Sequence, residues 1–316
     1  MGFIEADRGE VFVKAVLAGT PGTGKTYTAL KLASLLAAHS EGIDLLRVGE
    51  SELSFPRVLA RSVAVIESEN RAREYAGGKP FHYSAEELVD YGPEQWSRAL
   101  DEARRAGFKA VILDSMSDEW RGRGGCLQLV ESKGGAFNAW AEVKRAHWAL
   151  IEQIQNYPGH VLITVRSKAG IEIVEDPNSK RKVPVRTAPS PIQEDEFPYR
   201  FSHYWEMVYD DHEKSPTLVV SKSVAPNVPI GCAYARPGLD FAKLLIDWCA
   251  SEGAQPSEFK ISQSLLRDAR SREDVGSISK GIAANLGAYT IREIASLREL
   301  AQSRIASFLK VEAANV

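Results

Sequence analysis

The 316-residue sequence has only three cysteines, Cys126, Cys232 and Cys249. They are odd in number, far apart and free of any C-x-x-C spacing. That argues against a disulfide framework or a thiolate zinc site, and for reduced thiols in a cytoplasmic protein. No apolar run is long enough to cross a bilayer, and the first residues, MGFIEADRGE, lack the pattern of a secretory signal, so no membrane association is expected. Neither charge sign dominates: 39 basic and 42 acidic side chains leave a net −3. Contact with nucleic acid therefore depends on a local basic patch, not on overall charge. Internal repeats and low-complexity stretches are also missing. With 44% hydrophobic and 26% charged residues the chain reads as soluble and globular, long enough for one large domain and a small one.

Glycine is concentrated in one place. The run AGTPGTGKT at residues 18–26 follows VFVKAVL and fits G-x-x-x-x-G-K-[ST], with Gly19, Gly24, Lys25 and Thr26 in the fixed positions. Val11, Val13, Val16 and Leu17 read as a buried strand. Ala29, Leu30, Leu32, Ala33, Leu35, Leu36 and Ala37 form a broad apolar helix face after it. Strand, glycine loop and helix are the context in which this motif cradles phosphates. Glycines let backbone N–H groups wrap closely around an anion, and the helix N-terminus adds a favourable dipole. Gly19, Thr20, Pro21, Gly22, Thr23, Gly24, Lys25, Thr26 and Tyr27 are the candidate nucleotide-binding residues. Lys25 supplies a cation to the β- and γ-phosphates, and the Thr26 hydroxyl is a candidate Mg²⁺ ligand. The implied cofactors are ATP and Mg²⁺.

Strand and helix signals alternate after the motif. SVAVIESEN and FKAVILDS read as buried strands with YGPEQWSRALDEARRAG as a helix between them. FNAWAEVKRAHWALIEQIQ and HVLITVRSK then read as helix and strand. This predicts an α/β fold, a mostly parallel sheet flanked by helices. From about Lys168 the pattern becomes a hairpin with a turn at DPNSK, then two strands around DHEKS, then a helix over GLDFAKLLIDWCASEG. Residues 41–60 carry no clear assignment. The tail reads as helices only, so the expected domains are 1–252, a nucleotide-binding α/β domain, and 253–316, a helical C-terminal appendage.

Asp114 ends the apolar run AVILD, and a carboxylate at the tip of such a strand beside the glycine loop is a candidate to hold Mg²⁺. The polar groups of SMSDEW follow it at the same sheet edge, where ligands of such sheets bind. Hydrolysis also requires a group that orients or deprotonates water. Glu69 is the first choice and Glu67 the second, since strand alternation turns both to one side; a solvated acidic loop is the alternative.

Together VAVIESENRAREYA, AVILDSMSDEW, HVLITVRSK and LVVSKSVAP resemble the ATPase core of RecA-type recombinases. More closely the chain resembles the RecA-like AAA-family ATPases of phages and prophages, some of which are single-strand annealing recombinases. The resemblance spans roughly residues 11–250. It implies that Glu69 activates water and that Arg166, ending a later strand beside Ser167 and Lys168, senses the γ-phosphate. It also implies that Lys222 reaches a neighbouring subunit's nucleotide. Two departures remove positive charge: Glu194 stands where such proteins often have arginine in QRE, and Val224 where they often have arginine in SKSR.

The same resemblance points to loops after the magnesium and sensor strands as the place where single strands are held. Arg121 and Arg123 lie among glycines in WRGRGGCLQLVESKGG, and Lys180, Arg181, Lys182 and Arg186 crowd the expected hairpin. Basic side chains pair with phosphates without reading sequence, and Trp120 is placed to stack on a base; a solvated charge run is the alternative. The expected function is a RecA-like P-loop ATPase acting on single-stranded DNA in recombination, annealing or repair. The expected partners are single-stranded DNA, further copies of the chain, and a single-strand-binding or other recombination protein; a phage-encoded chain would work in the bacterial host cytoplasm. A motor or switch acting on duplex DNA or on another protein, and a small-molecule kinase using the basic segment as a lid, remain open alternatives.

Overall fold

The protein is described from a computed structural model. It covers residues 9–43, 45, 57–76, 81–175, 182–250, 262–263, 265–267, 269, 271–286, 289 and 291–314. The chain divides into two compact units, Phe12–Cys249 and a second made of Met1–Val11 with Ala250–Val316.

The large unit is built on a nine-stranded sheet. β1 (Lys14–Gly19) lies at its centre, between β5 (His160–Glu175) and β7 (His203–Asp210), and is parallel to both. β4 (Ala110–Asp114), β2 (Val63–Glu67) and β3 (Ser84–Glu87) continue the parallel part beyond β5. β8 (Ser215–Lys222) and β9 (Ala233–Ala235) extend the other side antiparallel, and β6 (Lys182–Pro191) pairs antiparallel with the outer half of β5. The sheet order is thus β3-β2-β4-β5-β1-β7-β8-β9. The expected mostly parallel sheet and the expected hairpin after Lys168 are both present; the expected hairpin turn, with Lys180 and Arg181, lies outside the described residues.

Strands buried on both faces read as unbroken apolar runs, and here alternate residues feed two cores. Ala15, Leu17, Val63, Val65 and Ile112 pack on one face against α1 (Lys25–Ser40) and α6 (Leu239–Ala250). Val16, Ala18, Ile66, Val111, Leu113 and Ile163 pack on the other against α2 (Pro93–Ala106) and α5 (Phe137–Gln155). α2 starts at Pro93, where a missing N–H is harmless, and stops at Gly107, whose φ of 78° gives a left-handed cap.

Two short helices follow β4: α3 (Met116–Arg121) and α4 (Cys126–Ser132). They join α5 through a small core of Trp120, Cys126, Val130, Ala139 and Val143. The buried Glu119 carboxylate under this core is satisfied by three donors. Cys126 Sγ and His147 Nδ1 lie 3.0 and 2.8 Å from Oε1, and Gln193 Nε2 lies 3.2 Å from Oε2. Burial beside that carboxylate raises the Cys126 thiol pKa far above its ordinary value, so the thiol is neutral. The three cysteines are all free.

In the second unit, helices Arg272–Ala284 and Ile291–Ala314 enclose a core of Leu266, Ala269, Val275, Leu297 and Ala301. The first of them opens with a capping box, Ser271 and Asp274 each accepting the other's backbone N–H. No described helix is long and apolar enough to cross a membrane.

Candidate active site

The loop from Gly19 to Gly24 connects β1 to α1 at the carboxyl edge of the parallel strands. Gly22 and Gly24 have φ of 81° and 84°, the left-handed region that glycine enters without strain. Gly19 is glycine for a different reason: a Cβ there would lie 2.4 Å from the Met207 carbonyl oxygen on β7. The loop faces a cavity of 540 Å³ lined by Pro21, Gly22, Gly24, Lys25, Thr26, Tyr27, Glu69, Arg71, Glu74, Tyr75, Asp114, Ser115 and Arg166.

The sequence-selected groups that meet here come from four elements. Lys25 Nζ donates to the carbonyls of Gly19 and Thr20, both at 2.9 Å, so the ammonium is held over the loop. Desolvation lowers its pKa, and Asp114 and Glu69 partly oppose that effect. The Thr26 hydroxyl donates to Asp114 Oδ2 at 2.8 Å. Asp114 is almost fully buried at the tip of β4, and Thr164 on β5 donates to its other oxygen. This hydroxyl–carboxylate pair is a hard oxygen donor set of the kind Mg²⁺ prefers.

β2 ends at Glu67, and the two glutamates beyond Ile66 part company there. Glu67 is buried in strand pairing, in register with Asp114 on one side and Glu87 on the other, and does not line the cavity. Glu69 lies past the strand end and does line it, so the shared orientation expected from alternation does not extend across the strand terminus. Glu69 Oε1 lies 3.4 Å from Arg166 Nε, and Oε2 lies 3.3 Å from Arg71 Nε. Arg166 also contacts Asp118 Oδ1 through Nη2, and its backbone N–H donates to Ser117 Oγ at 2.9 Å.

Other selected residues lie elsewhere. Thr20 and Thr23 line a separate cavity of 560 Å³ beside β7, with Thr23 Oγ1 donating to the Thr20 carbonyl at 2.9 Å. Lys222, with Arg121 and Lys168, lines a third cavity of 640 Å³ that also includes Gln193, Asp195, Tyr199 and Tyr204. Lys222 Nζ donates to the Tyr199 carbonyl at 2.9 Å. Arg123 is turned away to the Val89 carbonyl. Lys182 and Arg186 fall on β6, where only the backbone is described. Glu194, at one family departure, accepts an ion pair from Lys144 at 3.3 Å, and Val224, at the other, is exposed.

The sequence did not single out Asp118, Ser68, Thr164, Arg71 or Tyr75. The polar string SMSDEW was the only signal for Asp118, and its value depended on the short helix that follows Asp114.

A family model described as an AAA domain matches residues 12–224, nearly the whole of the large unit. The chain belongs to this AAA-domain family. No curated protein matches it. Among solved structures, it is similar to the RadB recombinase, with 13% identity and a TM-score of 0.40, covering 71% of this chain and 86% of that one. It is also similar to the KaiC-like protein PH0186 from the hyperthermophilic archaeon Pyrococcus horikoshii OT3, with 10% identity and a TM-score of 0.40, covering 71% and 84%. The AAA domain of this chain has a mostly parallel α/β fold in which the glycine loop leaves the central parallel strand and the Asp114 strand lies one strand away, across β5.

Proposed function

We propose that this AAA domain binds Mg-ATP, hydrolyses it, and uses the cycle to act on single-stranded DNA in recombination, annealing or repair. The observation that carries the reading is the convergence, in one 540 Å³ cavity, of Lys25, the Thr26–Asp114 pair, Glu69 and Arg166. Lys25 and the loop amides hold the phosphates, with Thr26 and Asp114 as the magnesium ligands or their hydrogen-bonded supports. Bound magnesium neutralises phosphate charge that the protein would otherwise meet alone. Glu69 accepts the proton of the attacking water, and Arg166 stabilises charge on the γ-phosphoryl oxygens.

The choice of a nucleic-acid partner is supported by the neighbouring cavity. Arg121, Lys168 and Lys222 bring three cations to it against one carboxylate, Asp195, and exposed Tyr199 stands at the same place. Cations track a phosphodiester backbone, and an exposed ring is a sequence-tolerant platform for an unpaired base. Self-association, with Lys222 serving a neighbour's nucleotide, is part of the same proposal.

The test is the hydrolysis rate with and without single-stranded DNA, beside a mass measurement with a non-hydrolysable ATP analogue. Stimulation by single strands, none by duplex, and an analogue-dependent assembly are expected. A rate indifferent to DNA, or turnover that needs a small acceptor molecule, would replace this reading with a switch or a kinase.

A further inference from the structure

We propose that Asp118 is a positioning residue of the hydrolytic site, holding the Arg166 guanidinium so that it does not close over Glu69. The inference rests on the reading of Glu69 as the base. Arg166 is shared between two carboxylates. Its Nη2 contacts Asp118 Oδ1, while its Nε stands 3.4 Å from Glu69 Oε1, longer than a normal hydrogen bond. Arg71 lies 3.3 Å from the other Glu69 oxygen, so the base already carries one cation on each side.

Asp118 is itself fixed. Its Oδ2 accepts the Ser68 hydroxyl at 2.7 Å, and Ser68 immediately precedes Glu69. The Ser68 N–H donates to the Asp114 carbonyl at 2.8 Å, and the Ser68 hydroxyl oxygen accepts the Ser115 N–H at 3.2 Å. The residue that grips Arg166 is therefore anchored to the segment bearing Glu69 and to the tip of the Asp114 strand. Both carboxylates are mostly shielded from water, with side-chain exposures of 14% for Asp118 and 18% for Glu69, so solvent screens this competition weakly.

The consequence has a sign. A guanidinium fork matches a carboxylate with two parallel N–H donors. With Asp118 neutral, Glu69 becomes the stronger partner, and a two-point pair occupies lone pairs that the attacking water needs. Such a pair also lowers the basicity of Glu69, because a close opposite charge favours its ionised form.

Asp118→Asn keeps the side-chain shape and is the first test. ATP affinity, measured by titration, should stay at the parent value, while kcat falls about 10- to 100-fold, the scale of a displaced catalytic group. The acid limb of kcat against pH should move to lower pH. In an Arg166→Ala background the same substitution should have no further effect, since the two residues act through one contact. Asp118→Glu, which restores the charge, should return the pH limb toward the parent. A parental kcat and pH limb in Asp118→Asn overturns the proposal, as does an equal loss in both backgrounds, which is what a merely structural role gives. Glu69→Gln separates the underlying reading: if it hydrolyses ATP as fast as the parent, Glu69 is not the base and the proposal falls with it.

Discussion

The Thr26 hydroxyl and Asp114 Oδ2 lie 2.8 Å apart although 88 residues separate them in the chain. One comes from the first turn of α1, the other from the tip of β4, and β5 separates β4 from the central strand. Thr164 on that intervening strand takes the second oxygen of Asp114. The carboxylate is thus aimed by a hydroxyl from α1 and a hydroxyl from β5, not by its own loop. This is how a fixed sheet edge holds a polar site against its own repulsion and burial.

Lys25→Ala should remove most ATP affinity and leave the fold intact, because among the described residues the Lys25 head bonds only loop carbonyls over the cavity. The pH dependence carries a sign. Burial lowers the pKa of Lys25 in the nucleotide-free site, and phosphate charge would raise it again. Nucleotide binding should therefore take up protons at alkaline pH, and affinity should weaken as pH rises through the lowered pKa. Titration calorimetry of the parent in buffers of different ionisation enthalpy measures that uptake, which should grow from neutral to alkaline pH; an uptake that does not change over that range removes the assignment.

Glu69→Gln should bind ATP like the parent and hydrolyse it about 10²-fold or more slowly, the usual scale for loss of a general base. Glu67→Gln should behave differently. Glu67 sits within the strand pairing and away from the cavity, so its loss should appear in unfolding measurements before it appears in turnover. A crippled Glu67→Gln beside an active Glu69→Gln reverses the two roles.

The buried Lys14 makes stability depend on pH. Its Nζ donates to the carbonyls of Tyr157 and Gly159 beneath the sheet, and burial lowers its pKa from 10.5 to about 7. Between these two values the unfolded chain binds more protons than the folded one, so stability should rise with pH across that window. Below the folded value both states are protonated and the term is flat. From pH 7 to 9 the gain is about 2 kcal/mol at most, by linkage from the two pKa values. Chemical denaturation of the parent and of Lys14→Met should differ by that slope; parallel curves would remove the assignment.

The sequence made the glycine loop, the strands around Val16, Val65, Ile112 and Ile163, and the helices after them legible, because strands buried on both faces read as apolar runs. β3 was not legible. Its residues Ser84–Glu87 are polar but for Ala85 and mostly exposed, and pairing with β2 is what makes them a strand. The candidate site was readable where a residue's place follows from its local frame, as for Lys25 and Thr26 beside the glycine loop. It was unreadable where the placement is a tertiary meeting, as for Asp118 with Arg166 or Thr164 with Asp114. Glu67 and Glu69 show the boundary: alternation treats them alike, and the end of β2 separates them.

Lys222 provides a test of whether a subunit works alone or is completed by a neighbour. Its ammonium donates to the Tyr199 carbonyl and lines the basic cavity, outside the 540 Å³ cavity that holds Lys25 in the same chain. A cation in that position can act on ATP only if a second copy brings its nucleotide against it. A charge that arrives on assembly and stabilises the transition state gives effects of about 10³-fold or more in other phosphoryl-transfer systems. Lys222→Ala should accordingly bind ATP as the parent does, yet lose the part of hydrolysis that rises with protein concentration. Mixing it with Lys25→Ala should recover activity that neither has alone, because a shared site can then draw its loop lysine from one subunit and Lys222 from the other. If the parent's rate per subunit stays constant down to a demonstrated monomer, and mixing restores nothing, Lys222 serves only its own chain's basic cavity. Its replacement should then weaken single-strand binding and flatten the salt dependence by about 0.7 in slope for each lost phosphate contact.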